Sequence, residues 1–233
     1  MLANAIEAAV IDLLLLNQNI ANLGDATGVR GSTTAGFVYV ALHTDDPGEA
    51  GDQTTNEHSW TGYSRAAVAR SGAGWTRTLN AVVNAALVQF NQRSDAGAAQ
   101  VARFISVGFA ASGASVILFR VPISGTTNVG VAFTATTADT LTAPAHALAV
   151  NDKVVCHSRA GAVLPTGITE GTVYFVKTVS GNDITLSATQ GGATLDLTTA
   201  GSGVISKISE LSITQNVQPQ FSAGQISWRL GTP

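Results

Sequence analysis

Four carboxylates, Asp45, Asp46, Glu49 and Asp52, crowd one short Gly-containing stretch, and Glu57 follows soon after. Oxygen-rich loops of this kind ligate calcium. The spacing is not that of a calcium-binding helix–loop–helix, and Asp46-Pro47-Gly48 makes a good turn by itself. The first reading is therefore a solvated connecting loop, with Asp45, Asp46, Glu49 and Asp52 as calcium candidates second to it. His43 stands two residues before Asp45, a pairing that would suit a general base and its orienting acid. No Gly-x-Ser-x-Gly elbow supplies a nucleophile, so His43 is expected to end a strand and hydrogen-bond to the loop. Cys156 and His157 are neighbours in a predicted strand, where adjacent side chains face opposite sides; a buried cysteine is the expectation. His43, His58, His146, His157 and the single cysteine show no zinc spacing. Neither a phosphate-binding loop nor a dinucleotide fingerprint is present. Glycan cleavage needs two carboxylates facing each other across a cleft, and the scattered acids offer no such pair. No enzyme, no cofactor and no metal follow from these residues. The aromatic cluster Trp60, Tyr63 and Trp75 fits contact chemistry instead, since such rings combine large apolar area with a polar handle. Trp60 and Tyr63 are candidates for meeting a neighbour, and Trp75, after Gly72-Ala73-Gly74, for packing over the end of a sandwich.

Bulk properties point the same way. The chain has 233 residues, of which 45% are apolar and 12% charged. The apolar share can build a real core, while the charged share is half of the usual value of about 25%. A free monomer keeps itself dispersed with a charged surface; a chain this poor in charge is expected to cover part of itself with copies of itself. Net charge is −3, and without clustered Lys and Arg there is no case for nucleic acid. Arg65, Arg70 and Arg77 alternate with apolar positions and read as the solvated edges of strands. One cysteine excludes an internal disulfide. The beginning, with Glu7 and Asp12 and no basic segment, does not read as a secretion signal. Its apolar runs are too short for membrane insertion.

Helical spacing of Ile6, Val10, Leu13, Leu14 and Ile20 predicts a helix over 2–21, stopped by Asn22-Leu23-Gly24. Leu13 to Leu16 is apolar all round, so the helix packs on its own domain or docks on a neighbouring subunit; Ile6, Val10, Leu13 and Leu14 are the interface candidates. Strand signals then recur at short intervals: Phe37–His43, Ser64–Arg70, Ala81–Phe90, Ala102–Phe109 and Val116–Pro122, with Glu210–Gln215 and Gln225–Leu230 at the far end. Such a series predicts a mainly β protein, with an antiparallel, jelly-roll-like sandwich after the helix. From about Val131 to Ile208 the chain turns rich in Thr, Ala and Gly, with further strands at Ala132–Ala135, Thr140–Ala143, Lys153–His157, Thr172–Val179, Asp183–Ser187 and Val204–Ile208. The expected organisation is a helix in 1–24, a sandwich from 25–130 plus 209–233, and a small barrel-like module, 131–208, inserted into one of its loops.

The order Tyr39-Val40-Ala41-Leu42-His43-Thr44, Asp46-Pro47-Gly48-Glu49, Gln53-Thr54-Thr55-Asn56-Glu57 and Thr61-Gly62-Tyr63-Ser64-Arg65 resembles a family of tailed-bacteriophage virion proteins, usually described as tail-fibre or tail proteins. Val68-Ala69-Arg70-Ser71, Gly74-Trp75-Thr76, Val107-Gly108 and Ala111-Ser112-Gly113 continue the likeness, which covers about 120 residues. The segment from Leu141 through Gly203 is similar to a module that recurs in phage structural proteins. The resemblance implies a non-enzymatic structural component of the virion, assembled in the bacterial cytoplasm. Its implied partners are its own copies, with a trimer favoured, other virion proteins, and a host surface glycan or protein. A tail fibre, tail appendage or collar protein is the first expectation; a capsid decoration or head-fibre protein is the alternative, and a glycan-cleaving tailspike the remote one.

Overall fold

A computed structural model describes residues 4–18, 35–124, 130–158 and 162–230. One helix, α1 (Asn4–Leu15), comes first. Eight strands follow: β1 (Phe37–His43), β2 (Ala66–Ala69), β3 (Trp75–Thr78), β4 (Ala81–Asn84), β5 (Val88–Gln89), β6 (Gln100–Ala102), β7 (Phe104–Gly108) and β8 (Ile117–Pro122). The next six are β9 (Val131–Ala135), β10 (Leu141–Thr142), β11 (Lys153–His157), β12 (Val173–Ser180), β13 (Asp183–Ser187) and β14 (Gly201–Ile208). The last three are β15 (Leu211–Ile213), β16 (Gln220–Phe221) and β17 (Ser227–Arg229). Among the described residues the protein is mainly β with one N-terminal helix, as its residue pattern predicts. Among the described residues, one compact unit runs to Val121 and resumes at Leu211, and the other takes in Pro122–Ser124 and 130–210.

The first unit is built on an antiparallel sheet in the order β2-β1-β7-β8. On β1, Val38, Val40 and Leu42 have no exposure and form the core face. The other face carries Phe37, Tyr39, Ala41 and His43, as the two-residue period requires. It is open at Phe37 and fully covered at Ala41 and His43. A second sheet, β17-β4-β3, packs on the first through rings: Phe119 of β8 meets Trp75 of β3 edge-on at 6.1 Å and stacks on Trp228 of β17 at 4.8 Å. Trp75, 1% exposed, therefore sits inside the sandwich. Two short pairs, β15-β6 and β16-β5, complete the unit.

α1 is shorter than the helix expected over 2–21. It stops at Leu15 because Asn17 adopts the left-handed conformation, φ 57°, and the Gln18 N–H turns back to donate to the Asp12 carbonyl at 3.0 Å. The expected stop at Asn22-Leu23-Gly24 lies outside the described residues. Ile11 and Leu15 are buried, and two arginines pin the helix: Arg77 binds the Asp12 carboxylate, and Arg70 donates to the Leu13 carbonyl and Asn17 Oδ1, each at 3.0 Å.

The second unit is a closed antiparallel barrel, β10-β13-β12-β11-β14-β9, so these strands leave no free edge. Phe133, Leu141, Val154, Cys156, Tyr174, Val176, Ile184, Leu186, Leu197 and Ile205 fill its core. The alternation on β11 explains the sorting: Val154 and Cys156 point in, and His157 is half-buried at the strand end. At the base of the unit the Ser209 N–H donates to the Ile123 carbonyl at 2.6 Å, which brings its two chain ends together.

Candidate functional site

The long connection from β1 to β2 is held by a buried polar network. His43 ends β1, and Ser106 lies two residues along on the same face of β7, since Ala41 pairs with Ser106 and His43 with Phe104. The ring Nδ1 is 2.8 Å from the Thr55 carbonyl and donates to it; the opposite nitrogen, 2.7 Å from Ser106 Oγ, then accepts. Burial holds the His43 pKa below the ordinary imidazole value, against the Thr55 hydrogen bond and the nearby Glu57. A serine–histidine pair at this distance has the look of a hydrolytic dyad. Both residues are 0% exposed and the orienting group is a backbone carbonyl, so the pair fastens the loop.

Arg65 is the centre of the network. It is 6% exposed and lies inside the unit, not on a solvated strand edge as its alternation with apolar residues suggests. Its guanidinium takes the Glu57 carboxylate in a two-pronged pair, Nε to Oε1 at 2.7 Å and Nη2 to Oε2 at 2.8 Å. It also donates to Gln53 Oε1 at 3.2 Å, the Ala110 carbonyl at 3.0 Å and the Gly113 carbonyl at 2.7 Å. The planar five-donor fork of arginine is what permits one side chain to tie three segments. Gln53 in turn donates to the Tyr39 carbonyl at 2.9 Å, and Tyr63 donates to Glu57 Oε1 at 3.1 Å. Gly108 must be glycine because a Cβ there would run into the Gln53 side chain. Arg93, 2% exposed, repeats the device, pairing with Asp95 and donating to the carbonyls of Ala98 and Ile213.

The clamp has a surface consequence. By holding Ala110 and Gly113, Arg65 fastens the turn from β7 to β8. Ser115 Oγ closes the same turn by accepting from the N–H groups of Phe109 and Ala110, at 3.1 and 3.2 Å. That turn presents Phe109, 48% exposed, and Val116, 70% exposed; Phe37, 56% exposed, starts β1 at the same end of the sheet, where Tyr39 pairs with Gly108. No charged residue lies between Val107 and Phe119. This apolar sheet end escaped the reading of the sequence. Nothing local distinguishes an exposed strand-end phenylalanine from a core one.

The interface candidates fall in different surroundings. Val10, Leu13 and Leu14 are half-buried on α1, while the side chain of Ile6 lies outside the described residues. Trp60 is 4% exposed, edge-on to Tyr63 at 4.6 Å and tilted against His58 at 5.3 Å, so its ring is spent within its own unit. Tyr63 is half-buried and stacks on Phe90 at 6.3 Å. Burial pushes its phenol well above the usual range. His58 Nε2 donates to the Val101 carbonyl at 3.2 Å, its Nδ1 lies 3.1 Å from the Gln100 side-chain amide, and burial lowers its pKa.

The calcium candidates meet cations and backbone of their own unit. Asp46 Oδ1 accepts from Arg120 Nε at 2.6 Å and from the Gly48 N–H at 2.9 Å, and Glu49 accepts from Arg120 Nη1 at 2.8 Å. Asp45 Oδ1 caps the Asp46 N–H at 3.0 Å, and Asp52 Oδ1 takes the Thr54 N–H at 2.7 Å and hydroxyl at 2.5 Å. Arg120 thus supplies positive charge inside the loop. Among the described residues no group of three or more His, Cys, Asp or Glu is placed to hold a metal. In the barrel, burial pushes the Cys156 thiol up to about 12. Among the described residues no helix is long and apolar enough to cross a membrane.

A family model described as the podophage GP4 fiber I protein gp80 matches residues 2–151, which takes in α1, β1 to β8 and the first two barrel strands. No curated protein matches the chain.

Proposed function

The chain belongs to the podophage GP4 fiber I protein gp80 family, and from that premise we propose that it is a structural, tail-fibre-type component of a tailed-phage virion that works as a homo-oligomer. The observation that carries this reading is the match itself, which runs through α1 and the whole β2-β1-β7-β8 sheet rather than one short motif. Three features support self-assembly: the 12% charged content, the half-buried apolar residues of α1, and the fastened apolar end at Phe37, Phe109 and Val116. The first unit is the assembling part. The 131–208 segment is an inserted module that projects from the particle and meets neighbouring virion proteins or a host surface. It brings its own core and has its ends joined at Ile123 and Ser209, as an insertion requires. The work is contact and not bond-making; the buried His43–Ser106 pair holds a loop and faces no cleft.

Light scattering on the purified chain tests the assembly claim. A multimer is expected, with a trimer preferred, and its mass should fall when Phe109→Ser and Val116→Ser are combined while the circular dichroism spectrum stays native. A chain that stays monomeric at high concentration overturns it. Locating the chain in density of the intact virion tests the place: dozens of copies or fewer at the tail fit the proposal, and hundreds over the capsid would make it a decoration protein.

A further inference from the structure

We draw no further inference here: the strongest candidate, the row of side chains Ser202, Thr134, Thr142 and Asp183 that strand register aligns across the barrel surface, is a stripe of small polar groups, and nothing in the structure shows what covers it.

Discussion

Replacing Arg65 with alanine removes the side chain on which the first unit's loops converge. The guanidinium makes five hydrogen bonds: two to Glu57 and one each to Gln53, Ala110 and Gly113. Arg65 is 1% exposed at its side chain and Glu57 14%, so water cannot replace the lost partner without opening the loop. Breaking a buried ion pair from one side costs about 3–5 kcal/mol, because the remaining charge stays uncompensated. A domain is stable by only about 5–15 kcal/mol in total, so the first unit becomes marginal. For a chain of this size each kcal/mol moves the midpoint by roughly 2–4 °C, giving a fall of about 6–20 °C in Tm. Scanning calorimetry of the intact chain measures it. Arg65→Leu combined with Glu57→Leu removes the stranded charge as well, and should be less destabilised than Arg65→Leu alone. Hydrogen exchange separates a local from a global effect: the amides of Phe109 and Ala110 should lose protection first in Arg65→Lys, which keeps the charge and loses the fork. A Tm change under 2 °C for Arg65→Ala, or a double variant as unstable as the single one, would refute the argument that this pair organises the turn.

Acid should weaken the first unit by forcing protons onto its buried histidines. His43 and His58 both have folded pKa values below the free imidazole's, so their contribution is complete above about pH 6.5 and is lost as pH falls toward the folded values; Tm should drop between pH 7.5 and 5, and a flat profile there would contradict the burial argument. Replacing residues 125–207 with a short Gly-Ser bridge should leave the first unit folded, because Ile123 and Ser209 already lie within hydrogen-bonding distance; loss of its native near-ultraviolet spectrum would show that the sandwich needs the barrel. Cys156, 0% exposed with its thiol near 12, should resist alkylation in native buffer at pH 8 and react once the chain is unfolded in guanidinium, and rapid native labelling would mean the barrel core is open.

Much of the fold was legible one strand at a time. Phe37–His43, Lys153–His157 and Asp183–Ser187 were predicted with the bounds observed, because β-branched and aromatic runs bounded by turn residues state a local preference. The Ala81–Phe90 signal proved to be two strands, β4 and β5, and β3, which begins at the Trp of Gly74-Trp75, went unseen. Short strands of this kind are defined by their partners: Trp75–Thr78 is a strand because it lies against Ala81–Asn84. The helix end was missed for a different reason, since Asn17 stops α1 through a backbone conformation that several apolar residues after it conceal.

Taken alone, the order of residues determined the β class, the helix at the start, the change of character near Val131, the want of catalytic spacing, and a likeness that the family match bears out. Those properties rest on composition and near neighbours, which a linear pattern records in full. The fate of the charges was decided only when the chain closed on itself. Arg65 meets Glu57 eight positions away, but it also meets Gly113, 48 positions away, and Arg93 meets Ile213, 120 positions away. Burial of an arginine depends on acceptors gathered from distant segments, and no local pattern encodes where those will be; the same is true of which end of a sheet leaves Phe37 and Phe109 facing outward.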